Sequence, residues 1–424
     1  MWLISNKNIV DLHRVPLNDS LVKIQHMSKK TLNFDINNFS CRTDRHQIDL
    51  MMKNSPKIVI MAFDRNTPYN ELPNLPPPGF IESPEILKQL AKAARYLGEL
   101  NGLCISLPDP QILINTIVLQ ESKDSSAIEN IVTTQDELYK AATEDDTNNL
   151  GAKEVLNYKE ALYVGIKRMH NQQNLLLTNT MVEIVQTIKQ NNAGIRSVPG
   201  TVLKNAINGE VVYTPPCCED VIREKLSALE QFINDPEFSS FDPLIKMAFI
   251  HYQFESIHPF PDGNGRAGRI LNALYLVQQG LLIQPVLYLS SYIVKHKTEY
   301  YQLLRSITEK ENWQDWVMYM LTALIETTQL TTKKMKAMLS LKSNYEKQLK
   351  EVLGTSFSYD LLQLMFTLPY LKIDLLVKKE IAHRQTASTW LKKLSAADIV
   401  RPQKIGRTTY YINFRLMEIL SSDS

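Results

Sequence analysis

From Ser83 to about Leu353 the chain passes from one helix signal to the next with a single interruption. That succession predicts a helical body and leaves little room for a sheet. Ser83 as N-cap and Pro84 at the first position open a helix to about Asn101, whose apolar face includes Ile86, Leu87, Leu90, Ala94 and Leu97. Asp109 and Pro110 repeat the device for a second helix through Ile112, Leu113, Ile117 and Leu119. Thr133 followed by Asp136 resembles an acidic capping box and starts a third, and residues 149–170 and 179–190 supply two more. Only 14 of the 424 residues are glycine, about half the usual share, which agrees with long helices and short connections.

The interruption runs from Ile195 to Tyr213, is rich in Val and Thr, and carries Asn208-Gly209, a hairpin turn signal between TVLKNAI and EVVY. One hairpin in a helical body cannot build a sheet of its own, so it is expected to project as a flap. Pro215-Pro216 ends it, and helical periodicity resumes at about Glu219. Residues 355–424 read as a small separate domain. Helical segments at about 358–367 and 375–382 precede a third over QTASTWLKKL, and two strand-like runs, 399–401 and 409–412, flank Gly406. That order is a winged helix-turn-helix pattern. Residues 1–60 show little periodicity and predict weak or no stable structure, while the proline-dense run from Asp64 to Gly79 predicts an extended segment lying on a folded body. Met61 reads as a natural start, with the residues before it as an upstream extension. The chain is therefore expected to divide into an extension (1–62), an N-terminal helical region (63–150), a helical core (151–353) and the C-terminal domain (355–424).

The net charge of +2 gives no chain-wide argument for nucleic acid, and it hides unlike parts. Residues 1–60 carry nine basic against five acidic side chains, residues 355–424 ten against six, and the stretch between them 28 against 34. An acidic body thus lies between two basic ends. Lys392, Lys393, Arg401, Lys404 and Arg407 gather on the expected recognition helix and wing, an electrostatic footprint that suits a DNA duplex or a protein contact. No apolar stretch approaches the ~20 residues of a spanning helix, and residues 1–8 lack the apolar region of a signal peptide. Membrane insertion and secretion are not expected. Cys41, Cys104, Cys217 and Cys218 have neither disulfide-framework nor zinc spacing, which suits a reducing, cytoplasmic setting.

Residues 251–269, HYQFESIHPFPDGNGRAGR, concentrate the chemistry. Pro259 and Pro261 forbid helix continuation, so a helix through Phe249, Tyr252 and Phe254 must stop near His258, and another restarts after Asn264. The loop delivers Gly263-Asn264-Gly265 to a helix N-terminus, where free N–H groups and the helix dipole favour an anion. Arg266 and Arg269 share one face of the first helical turn, where they could hold further phosphates. Asp262 offers the oxygen that Mg²⁺ wants, with nucleotide phosphates and water completing its shell. His258 is the nearby group that takes a proton near neutral pH. Together these residues describe a phosphoryl- or nucleotidyl-transfer site.

The run HPFPDGNGRAGR resembles the Fic family motif at every fixed position. LPPPGFIESPEI, LPDPQILIN and SSAIENIVTTQDEL are similar to the N-terminal part of the same family, YTPP to the end of its flap, and the C-terminal winged helix to an architecture familiar among Fic proteins. The resemblance covers about residues 64–350. It implies a mainly α fold, a Fic-type helical bundle with a β-hairpin flap, and an enzyme that transfers AMP from ATP to a hydroxyl side chain of a protein. Carried over by position, His258 would be the general base and Asp262 the Mg²⁺ ligand. Gly263, Asn264 and Gly265 would form the anion hole at the α-phosphate, and Arg266 and Arg269, with the turn through Ala267 and Gly268, would hold the β- and γ-phosphates. Phe260 would be a buried anchor, and Tyr301 of the Tyr300-Tyr301 pair would lie near the adenine. The flap would pair by its strand edge with an extended segment of the target protein.

Ser125-Ser126-Ala127-Ile128-Glu129-Asn130 is similar to the inhibitory helix motif of many Fic proteins, Ser/Thr-x-x-x-Glu-Gly/Asn. The resemblance implies that Glu129 pairs with Arg269, takes the place of the γ-phosphate, and leaves ATP bound unproductively. Self-modification and a homodimer are further implications of the family. Two alternatives share the same residues: removal of AMP by the same site, and a DNA-binding regulator in which the Fic fold senses nucleotide.

Overall fold

The structure, a computed structural model, describes residues 2–5, 8–11, 63–106, 111–143, 149–205, 208–405 and 407–422. Residues 1–62 and 63–424 form two separate units. In the first, β1 (Trp2–Ser5) pairs antiparallel with β2 (Asn8–Asp11), Leu3 opposite Val10. The remainder of residues 1–62, on which weak structure was expected, lies outside the described residues.

The second unit opens with the proline-dense segment lying extended on the body, as expected. Leu72 is buried, the Pro73 carbonyl accepts from Gln253 Nε2 at 2.9 Å, and Tyr69 donates its N–H to the Thr214 carbonyl at 3.0 Å. α1 (Pro84–Ser106) runs a turn beyond the expected end because its buried stripe, Ile86, Ala93, Leu97, Leu100 and Cys104, continues. The predicted start of α2 (Gln111–Ile128) at Asp109-Pro110 lies outside the described residues.

α3 (Gln135–Ala141) corrects the expected cap by one residue: the N-cap is Thr134, and its box partner is Glu137. Glu137 reaches back to the Thr134 N–H at 2.9 Å, whereas Asp136 instead accepts from Tyr370 Oη. α4 (Leu150–Asn171), capped by Asn149, and α5 (Thr178–Lys189) follow. The hairpin is shorter than the sequence suggests, β3 (Leu203–Lys204) against β4 (Val211–Tyr213), with a register irregularity between Leu203 and Lys204.

α6 (Glu219–Asn234), α7 (Pro243–Ile257), α8 (Asn264–Gln278), α9 (Ser290–Lys295), α10 (Lys297–Lys310) and α11 (Trp313–Leu353) complete the body. α7 buries 13 of its 15 residues and α8 12 of 15, so they form the centre of the bundle. α1, α6 and α11 pack on α7, and α2, α4 and α5 on α8. The short connection between the two most buried helices is where the sequence places its chemistry.

α11 has 41 residues and extends about 60 Å. Its second half carries the C-terminal segment: Tyr345 Oη donates to the Ile399 carbonyl at 3.0 Å and Lys334 Nζ to the Leu420 carbonyl at 2.8 Å. α12 (Tyr359–Thr367), β5 (Tyr370–Leu371), α13 (Ile373–Lys378), α14 (Arg384–Ala396), β6 (Arg401–Ile405), β7 (Thr408–Ile412) and α15 (Phe414–Ser421) follow, with sheet order β5-β7-β6, all antiparallel. Two elements, β5 and α15, are additional to the sequence pattern. β6 begins at Arg401 instead of Ile399 because the Ile399 N–H still closes α14, on the Leu394 carbonyl. The segment sits directly on α2, where Thr116 Oγ1 donates to the Phe366 carbonyl at 2.9 Å.

Candidate active site

Six residues, His258 to Gly263, join α7 to α8. Their path is fixed from inside. Asn264 donates from Nδ2 to the Phe260 carbonyl at 2.7 Å and accepts the Phe260 N–H at 2.9 Å. Phe260 is fully buried, the anchor the sequence implied, with its ring 6.4 Å from that of Phe254. Gly263 adopts φ +85° as the residue before α8, a conformation in which a side chain would be strained. Asn264 is itself buried and spends both ends of its amide on the loop, so what it offers an anion is its main-chain N–H.

His258 caps α7 in the left-handed conformation, φ 49° and ψ 57°, with its N–H on the Phe254 carbonyl at 3.0 Å. A non-glycine residue held there turns its side chain out of the helix line, and the surrounding bonds must compensate for the strain. Its Nδ1 is buried and, among the described residues, without a hydrogen-bond partner. Burial, and then the Arg196 charge, push the imidazole down to about 4. It is therefore neutral at physiological pH and able to accept a proton.

At the start of α8 the first helical bond inside the turn is Ala267 N–H to the Gly263 carbonyl, at 3.0 Å. The N–H groups of Asn264, Gly265 and Arg266 precede it and are the ones an anion can use. Ala267 is fully buried with its N–H spent, and a Cβ at Gly268 would meet Glu255 Oε1 at 2.4 Å, so these two serve close packing inside the helix. A Cβ at Gly265 would meet Glu129 Oε1 at 2.3 Å. The absent side chain is what lets the Glu129 carboxylate approach the helix N-terminus.

Glu129 lies just past the end of α2, and its Oε1 accepts from Arg269 Nη2 at 2.8 Å. Arg269 also donates from Nε to Ser125 Oγ at 2.8 Å and from Nη2 to the Ser125 carbonyl at 2.9 Å. Three residues of the second motif thereby acquire physical roles. Ser125 and Glu129 grip Arg269, while Asn130 turns the chain at φ 63°, which is why a residue tolerant of the left-handed region stands there. Arg269 is almost wholly buried; burial opposes its charge, but Glu129 and Glu255 outweigh it and hold the guanidinium firmly protonated.

Arg266 is also buried, but it turns to α4, Nη1 to Glu154 Oε2 at 2.6 Å, with Nε unpartnered among the described residues. The two arginines expected to act together are thus held by different helices. Asp262 meets Lys189, from the end of α5, at 2.7 Å. Burial works to raise its carboxyl, yet the Lys189 bond and charge bring it below the usual range. Among the described residues no three His, Cys, Asp or Glu side chains converge to hold a metal.

Of the tyrosine pair, Tyr300 is buried, with its hydroxyl 2.8 Å from His251 Nε2, and belongs to the core. Tyr301 stands edge-on to it at 5.1 Å and is 46% exposed, so only Tyr301 can meet a ligand. Sequence reasoning missed Lys189, Glu154, Glu255 and Arg196. Glu255 lies one turn before His258; burial raises its carboxyl to about 7, and Oε1 has no partner among the described residues. Only its place three residues before His258 could have drawn attention to it. Lys189 and Glu154 come from distant helices and carry no local signal.

Residues 87–167 match the Fic/DOC family N-terminal model, and residues 166–276 match the Fic/DOC family model itself. Residues 87–276 belong to the Fic/DOC family. Residues 341–416 match the C-terminal domain of SoFic-like protein adenylyltransferases. Among curated relatives, a protein adenylyltransferase fic-1 of Caenorhabditis briggsae is 37% identical over 76 residues, 18% of this chain and 15% of its own length. A probable protein adenylyltransferase of Aquifex aeolicus is 58% identical over 41 residues, 10% of this chain and 13% of its own. The chain thus spans about a seventh of the length of these relatives. A Fic family protein from Desulfovibrio desulfuricans has the same fold, TM-score 0.51 at 18% identity, covering 80% of this chain and 98% of that one. The Fic/DOC region contains every site residue described above except Tyr301. No described helix is long and apolar enough to cross a membrane.

Proposed function

We propose that the Fic/DOC body is a protein adenylyltransferase, moving AMP from ATP to a Ser, Thr or Tyr hydroxyl of a protein, and that Glu129 holds it inactive. His258, neutral and at the rim of the loop, takes the hydroxyl proton as the oxygen attacks the α-phosphorus and pyrophosphate leaves. The N–H groups of Asn264, Gly265 and Arg266 face the charge that develops on the α-phosphate, a role that needs no reorganisation because the helix already aims them. Arg269 becomes available to the outer phosphates when Glu129 lets go, and Tyr301 borders the base. ATP is the co-substrate.

Asp262 would hold Mg²⁺ through an exposed carboxylate, with phosphate oxygens and water supplying the other positions. The Lys189 ammonium seated on Asp262 Oδ2 supports this reading, since it marks the position as one that accepts a cation. When bound, the metal neutralises phosphate charge. The extended target segment would pair along the flap, and α13, α14 and the β6–β7 hairpin would form the winged helix, a contact for DNA or a recruited protein. A cytoplasmic setting agrees with free Cys104, Cys217 and Cys218.

The observation that carries the proposal is the Glu129–Arg269 pair at 2.8 Å over Gly265, where two motifs 130 residues apart in sequence meet at one helix N-terminus. The test is incubation with α-labelled ATP and Mg²⁺. Glu129→Gly should label itself or a supplied protein, wild type weakly, and Glu129→Gly with His258→Ala not at all. Equal labelling of wild type and Glu129→Gly would remove the inhibitory role.

A further inference from the structure

Arg196 leads into the flap and is 5% exposed. Among the described residues its side chain bonds only to main-chain carbonyls: Nε to His258 at 2.6 Å, and Nη2 to Pro216 at 2.5 Å and Ile257 at 3.2 Å. Its own N–H donates to the Pro259 carbonyl at 2.9 Å. Among the described residues no carboxylate lies within ion-pair distance. A buried guanidinium without a counter-ion is costly unless its donors are satisfied and the local field suits it. Here the field comes from the last carbonyls of α7, a helix end that favours a cation.

The geometry points to Arg196 as a positioning residue that fixes His258 in its left-handed turn and ties both roots of the flap, Arg196 before β3 and Pro216 after β4, to the same loop. This rests on the proposed role of His258 as base. One guanidinium then sets the distance between the docked target segment and the group that must take its proton, a distance on which transfer depends steeply. Its charge also bears on the imidazole. The groups acting on His258 are Arg196 from the flap root, which disfavours protonation, and Glu129 beyond α2, Asp262 in the loop and the Glu255 carbonyl in α7, which favour it.

The test is an NMR pH titration of histidine-labelled full-length protein, with His258→Ala assigning the signal. In wild type and Arg196→Lys, His258 should stay neutral from pH 8 down to about 5. In Arg196→Gln its titration should move upward by about one pH unit or more. In the Glu129→Gly background, both Arg196 variants should lower kcat for AMP transfer with KM for ATP unchanged, because lysine cannot reach all three carbonyls. An unmoved titration in Arg196→Gln, or an undiminished kcat in Arg196→Lys, would overturn the inference. A shifted titration in a protein that transfers no AMP even as Glu129→Gly would instead sink the proposed activity and leave the placement of His258 standing.

Discussion

The loop from His258 to Gly263 and the flap from Leu203 to Tyr213 would serve the same proposed reaction and are built in opposite ways. The loop hangs between the two most buried helices, is clamped by the Asn264 amide, and is pinned by Phe260 beneath. The flap has strands of two and three residues and a half-exposed face, and it is secured at its root, where Tyr213 Oη donates to the Ser256 carbonyl at 2.9 Å. Val198, on the way into it, is 74% exposed. Groups that handle phosphorus and protons gain from rigidity, because small misplacements are costly. A surface that must receive a segment of another protein gains from an open, weakly held edge. Arg196 is where the two designs join.

The contrast can be broken by experiment. The largest effect should be on chemistry: His258→Ala in the Glu129→Gly background should reduce AMP transfer by about 10³-fold or more, measured with labelled ATP, and residual activity near the parent would deny the loop its base. Next, Phe260→Ala should cost about 3–5 kcal/mol of stability by urea unfolding, since the ring is fully buried. Glu129→Gly should raise transfer on the order of 10- to 100-fold, sharpening the view that the rigid half is built ready and merely blocked.

The acid side of the pH profile is a smaller test. The His258 pKa is lowered to about 4, so the base stays unprotonated as pH falls through the ordinary histidine range. Transfer by Glu129→Gly should therefore hold down to about pH 5 instead of falling from about 6.5. The smallest effect belongs to the flap. Val211→Ala, on a half-buried strand position, should cost less than about 1 kcal/mol and show mainly as a higher KM for the protein target. A loss like that of Phe260→Ala would show the flap to be as integral to the core as the loop.

The sequence alone determined the helical body, the place where α7 must stop, the helix N-terminus aimed at an anion, and the two motifs that meet there. These follow from short-range rules: proline ends a helix, glycine admits a left-handed turn, and three-residue spacing puts side chains on one face. Tertiary structure decided the rest. It separated Arg266 and Arg269, which the spacing had placed together, because Glu154 on α4 pairs with one and Glu129 beyond α2 with the other. It set Lys189 on Asp262, made Tyr300 core and left Tyr301 to the surface, and moved the α3 cap to Thr134, where Glu137 could reach back. Arg196 was one charge in GIRSVPG, and nothing within ten residues of it reveals that it grips the carbonyl of His258. Local spacing fixes which groups a helix or loop can offer, but which neighbour satisfies a buried charge depends on chain segments brought together only by folding.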